Sequence, residues 1–147
     1  MNSKDDNKVE VELHWKSGLR IESEIRQFTP IMMDDRKKGN DSAPNPVEMF
    51  LSSVGSCLAM SFIYCLSLSG VNLDPKDFNV KVSGVLGRVN ERLRLINVKT
   101  EFKIEKSADR VKIEKCFEKF QPFCILSESI QMGIPFAYNL KIGEKES

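Results

Sequence analysis

The chain has 147 residues, 41% of them hydrophobic and 29% charged, which suits one soluble globular domain over residues 1–147. Its net charge of +1 supplies no basic field for nucleic acid, so a nucleic-acid partner is not expected. The polar tail, residues 1–8, lacks the character of a secretory signal. The expected compartment is therefore cytoplasmic, where structural disulfides are rare.

Val9, Val11, Leu13 and Trp15 alternate with Glu10, Glu12 and His14, the period of a half-buried strand. Lys16-Ser17-Gly18 reads as a turn, and Leu19, Ile21, Ser23 and Ile25 resume the alternation, making a hairpin. Ile31-Met32-Met33 reads as a third short strand. Residues 34–45 are rich in charge and chain breakers and form a loop. Its basic Arg36-Lys37-Lys38 is flanked by aspartates and reads as solvated surface.

Asn45 before Pro46 suits a cap and first turn, which starts a long helix running to about Ser69, with Gly70 as its stop. The uncharged stretch Met49–Leu73 is long enough to cross a bilayer. Six serines and Gly55 dilute it, and no Lys/Arg asymmetry flanks it, so a buried central helix is expected rather than a membrane span. Phe78, Val80 and Val82, then Ile96, Val98, Thr100, Phe102 and Ile104, predict a second hairpin around a polar turn near Asn90. Ser107 begins a helix with Ile113, Cys116, Phe117 and Phe120 on one face, and Pro122 interrupts it. A short helix from Cys124 to Met132 follows, closed by Gly133, and Phe136, Tyr138, Leu140 and Ile142 predict a last strand. The order is that of an α+β chain, with antiparallel sheets around a buried helix, rather than a parallel α/β sheet.

Chemistry converges on thiols. The eight glycines form neither GxGxxG nor a Walker pattern, and the lone His14 sits on the polar face of a strand, away from any nucleophile in sequence. The four cysteines, Cys57, Cys65, Cys116 and Cys124, lack the close pairing of a structural zinc site, so no metal is expected. Cys57 and Cys65 lie about 80° apart round their helix and roughly 12 Å along it, too far to pair with each other. Cys65 and Cys116 read as apolar filler. Cys124 stands at a helix start, where the dipole stabilises a thiolate; Cys57 lies three turns into its helix, beyond that influence. Local reasoning alone makes Cys124 the more reactive thiol.

The stretch APNPVEMFLSSVGSC, Ala43 to Cys57, resembles the signature of the OsmC/Ohr family of thiol peroxidases. FCILSESI resembles the segment bearing that family's second cysteine, and WKSGLRI and IMMDD resemble its N-terminal hairpin and Asp-containing turn. The similarity runs from about Val9 to Ile142. It implies an OsmC-like fold and an intertwined homodimer whose sites use both subunits. It also implies that Cys57 attacks an organic hydroperoxide to give a sulfenic acid, and that Cys124 resolves this to a disulfide. An external dithiol, such as a lipoyl group, then reduces the disulfide, with no bound cofactor. The resemblance makes Glu48 the acid of the proline-led segment, and Arg20, on the N-terminal hairpin, is the nearest candidate for the activating arginine. Val47 follows the proline where the family's peroxidase branch has the glutamate, Leu19 interrupts the glycine–arginine pattern, and Ile125 replaces the proline after the second cysteine. Arg94 is the substitute arginine. The alternatives are a non-enzymatic redox sensor or small-molecule binder on the same fold, or a membrane-anchored chain using Met49–Leu73.

Overall fold

The computed structural model describes residues 7–106 and 109–143. They fall into two compact units: residues up to 53 with 82–100, and residues 54–81 with those from 101 onward. The expected helix start at Ser107 lies outside the described residues.

In the first unit β1 (Glu12–Ser17), β2 (Arg20–Glu24) and β3 (Ile31–Met33) form an antiparallel sheet with β2 central. The register pairs Glu12 with Glu24 and Trp15 with Ile21, with an irregularity between Trp15 and Ser17. β1 begins at Glu12 rather than Val9, because its partner strand ends at Glu24 and leaves Val9 and Val11 nothing to pair with. Alternation places Leu13 and Trp15 on one face, yet both are exposed, so the expected half-burial of this strand is not met within the chain.

The loop before the long helix is organised by Asp34, a carboxylate only 1% exposed. It accepts hydrogen bonds from Ser42 Oγ at 2.7 Å, Ser42 N at 3.1 Å and Asn40 N at 3.2 Å. Gly39 passes so close that a Cβ there would fall onto Asp34 Oδ1 and sit 2.7 Å from the Asp35 carbonyl. The Ser42 hydroxyl above all, aided by the backbone donors, holds the Asp34 carboxyl below its ordinary range against the opposing effect of burial.

Helix α1 (Pro46–Leu68) starts where the Asn-Pro pair predicts. Asn45 Oδ1 accepts from Glu48 N at 2.8 Å, and Asn45 Nδ2 donates to Glu48 Oε1 at 2.8 Å, a reciprocal cap of the first turn. Val71 N donates to the Leu66 carbonyl at 2.9 Å across Gly70, whose φ of 74° lets the chain turn out of the helix. By length and composition α1 could cross a membrane, with mean hydropathy 1.7 over its most apolar window, of which 22% is buried. It buries Val54, Gly55, Phe62 and Leu66, while Met60, Ile63, Tyr64 and Leu68 are exposed. The expectation of burial on most faces is thus corrected: among the described residues one stripe of the helix is covered, and the opposite apolar stripe is exposed.

Strands β4 (Phe78–Val89) and β5 (Arg92–Ile104) form a two-stranded sheet. Asn90 and Glu91, with φ of 50° and 64°, make the tight connection, the left-handed pair that a two-residue hairpin turn needs. The second unit contains the core. Phe62, Leu66, Val71, Cys116 and Phe120 are buried together, and Leu58, Phe78, Phe102 and Ile113 pack against them. Phe62 is the hub, its ring centroid 5.2 Å from Phe120 and 5.4 Å from Phe102.

Helix α2 (Arg110–Lys119) ends before Pro122, which lies in a 3-10 turn, Gln121–Phe123; α3 (Ile125–Met132) follows and ends at Gly133. The expected strand from Phe136 to Ile142 is absent: the segment is irregular, and Phe136, Tyr138, Leu140 and Ile142 are each at least 80% exposed. Its alternation suits a strand, but among the described residues no strand edge pairs with it, and an unpaired strand lacks ladder hydrogen bonds.

Candidate active site

Cys57 occupies the fourth turn of α1 and Cys124 the residue before α3. The 3-10 turn sets the second position: Phe123 N donates to the Phe120 carbonyl at 3.0 Å and Cys124 N to the Gln121 carbonyl at 3.1 Å. These bonds stop α2 and swing the chain so that Cys124 opens a new helix, with Glu128 N donating to its carbonyl at 3.2 Å. The two sulfurs are near enough that each alters the other's ionisation. Both cysteines belong to the second unit.

Their environments differ in a way that chemistry can use. Cys124 is fully buried, whereas Cys57 is partly accessible. Burial alone would raise the Cys124 thiol, but the Ser127 hydroxyl and N–H, the Cys57 thiol and the Leu126 N–H together hold it below its ordinary value. None of these makes a regular side-chain cap; they act through polarity near the sulfur. The direction agrees with the local reading of a thiol at a helix start. Burial raises the Cys57 thiol, Cys124 adds to the rise, and the N–H groups of Leu126 and Ile125 oppose it. The first turn of α3 therefore serves both sulfurs. Ser127 and Leu126 were not singled out from sequence; an LS pair after a cysteine carries no signal until the helix start is placed.

Two of the serines that dilute α1 bond locally: Ser61 Oγ donates to the Cys57 carbonyl and Ser53 Oγ to that of Met49, both at 2.9 Å. Glu48 and Arg20 belong to the first unit. The Glu48 carboxylate is engaged by Asn45. Arg20 lies at the start of β2, and its buried Nε has no hydrogen-bond partner among the described residues. Arg94 Nη1 donates to the Leu93 carbonyl at 2.8 Å. On the first hairpin the ligand atoms of Glu12, His14 and Glu24 lie within 4.8 Å of one another, and His14 Nε2 is already 2.8 Å from Glu24 Oε2.

Cys65 and Cys116 are not isolated filler: their sulfurs are 2.6 Å apart, with Ser69 Oγ 3.3 Å from Cys116. The sequence signal for this lies in two equal intervals, seven residues between Cys57 and Cys65 and seven between Cys116 and Cys124. Matched in opposite chain directions, those intervals make two rungs between α1 and the α2–α3 segment.

Among known families, the OsmC-like protein family matches residues 39–139. No protein with a curated description matches the chain. Among solved structures, an OsmC-like protein from Mycoplasma pneumoniae is similar with a TM-score of 0.72 at 15% identity, over 88% of this chain and 90% of that one. A Legionella pneumophila organic hydroperoxide resistance protein OsmC gives 0.66 at 16% identity, over 84% and 89%. The organic hydroperoxide resistance protein OhrB of Bacillus subtilis gives 0.64 at 13%, over 86% and 92%. At these identities the likeness establishes the fold.

Proposed function

Because the chain belongs to the OsmC-like protein family, whose solved members include organic hydroperoxide resistance proteins, we propose that it reduces organic hydroperoxides through Cys57 and Cys124. The observation that carries this reading is the proximity of two thiols of unlike access and acidity. The accessible Cys57 is the sulfur a peroxide can reach, and the buried Cys124 is the thiol placed to attack it next. Cys57, its thiol proton released to solvent, attacks the distal peroxide oxygen: an S–O bond forms, the O–O bond breaks, and the departing alkoxide takes a solvent proton and leaves as an alcohol. The Cys124 thiolate attacks the Cys57 sulfenic acid, an S–S bond forms, and hydroxide leaves as water with a solvent proton. An external dithiol of the lipoyl type restores both thiols by exchange.

On the family resemblance Arg20 is the proposed cation for the Cys57 thiolate. Glu48 is proposed to orient it. The second copy of a homodimer is proposed to cover what one chain leaves bare. The exposed stripe of α1 and the segment around Tyr138 are the apolar surfaces involved. Such a molecule works in the cytoplasm without a membrane.

The test is consumption of cumene hydroperoxide against hydrogen peroxide with reduced lipoamide, while free thiols are counted. Faster turnover of the organic peroxide and loss of two thiols are expected. Cys57→Ser should lose turnover, and Cys124→Ser should leave a sulfenic acid that dimedone traps; unchanged turnover in Cys57→Ser would remove the mechanism. The raised Cys57 thiol favours a second reading, a slow redox sensor, which would form the disulfide once without sustained turnover.

A further inference from the structure

We propose that Cys65 and Cys116 are a second redox couple, a dithiol that low-molecular-weight disulfides of the glutathione class convert to an intramolecular disulfide tying α2 to α1. The sulfurs are 2.6 Å apart, within about 0.6 Å of a covalent S–S bond. Closure therefore asks for a small approach rather than a rearrangement of either helix. The pair stands apart from Cys57 and Cys124: Cys65 is roughly 12 Å from Cys57 along α1, beyond exchange in place. It needs no part of the proposed peroxidase chemistry.

Access sets the order of events. Cys116 is 2% exposed, while Cys65 is partly accessible, so an incoming disulfide meets Cys65. The Cys65 S–H donates to Cys116, and that bond, with burial, raises the Cys65 thiol; the Lys119 ammonium opposes the rise. Cys65 attacks the incoming S–S bond, forming a mixed disulfide, and the departing thiolate takes the Cys65 proton. Cys116 then attacks the Cys65 sulfur, and the second thiolate leaves with the Cys116 proton. Two protein thiols are oxidised and one external disulfide is reduced to two thiols. Ser69 Oγ, 3.3 Å from Cys116, is placed to relay the second proton.

The experiment uses the full chain carrying Cys57→Ser and Cys124→Ser, treated with oxidised glutathione and analysed by intact mass and non-reducing peptide mapping. Expected is loss of two hydrogens, one cross-linked peptide joining Cys65 to Cys116, and a Tm roughly 10 °C above the reduced protein. Adding Cys116→Ser should instead trap one glutathione adduct at Cys65 and abolish the Tm rise. Cys116→Ala should do the same if the serine variant folds poorly. In the chain with its native Cys57 and Cys124, Cys65→Ser should leave peroxide turnover unchanged. A stable glutathione adduct at Cys65 with Cys116 present, or two unreacted thiols, would overturn the proposal.

Discussion

Asp34 shows how a single residue shapes the approach to α1. Its carboxylate gathers the donors of Asn40 and Ser42 into a loop that only a side-chain-free residue at 39 can complete. The folded carboxyl is held below the ordinary value of 3.8, mainly by the Ser42 hydroxyl. Its stabilising contribution is therefore complete above that value and disappears as pH falls through the lower folded value. Thermal melts from neutral pH downward should show a loss beginning below pH ~4, and Ser42→Ala should reduce the part of that loss owed to Asp34. An acid limb identical in the two proteins would detach Asp34 from acid stability. The same scale holds the contrast between the paired thiols. The helix-start position of Cys124 foretold its direction of shift, whereas the opposite shift of Cys57 depends on burial and on a neighbour 67 positions away in the chain.

At the scale of elements, local rules did well where the determinants are local. Asn45-Pro46 marked the start of α1 and Gly70 its end, because a cap and a left-handed stop involve only neighbouring residues. Asn45→Ala removes both hydrogen bonds with Glu48 and should cost about 1 kcal/mol, lowering Tm by about 2–4 °C. Replacement with no change in Tm would mean that α1 is held by packing alone. Alternation located the first hairpin and β3 but could not tell that β1 would begin at Glu12, since that depends on where its partner ends. It also drew a last strand at Phe136–Ile142 that the chain does not form. Period two reports an amphipathic segment, not the presence of an edge to receive it.

At the scale of the whole molecule, exposed apolar side chains among the described residues set the expectation. Met60, Tyr64, Phe136, Tyr138 and Leu140 are all more than 60% exposed, and solvent contact at that many large side chains is unfavourable. Light scattering in detergent-free buffer should return twice the 16.7 kDa chain mass, and Tyr138→Glu should shift the population toward monomer. A stable, soluble monomer would refute the dimer, and solubility only in detergent would favour the membrane reading of α1. The amino-acid sequence by itself determined the α+β order, the bounds of α1 and the family, since these rest on short-range patterns and on the motif ending at Cys57. The resemblance already joined Cys57 to Cys124, whereas only the tertiary structure decided that Cys65 meets Cys116. It alone decided which stripe of α1 is covered. Those pairings join residues about fifty to seventy positions apart, and no periodicity within one segment encodes which distant segment will pack against it.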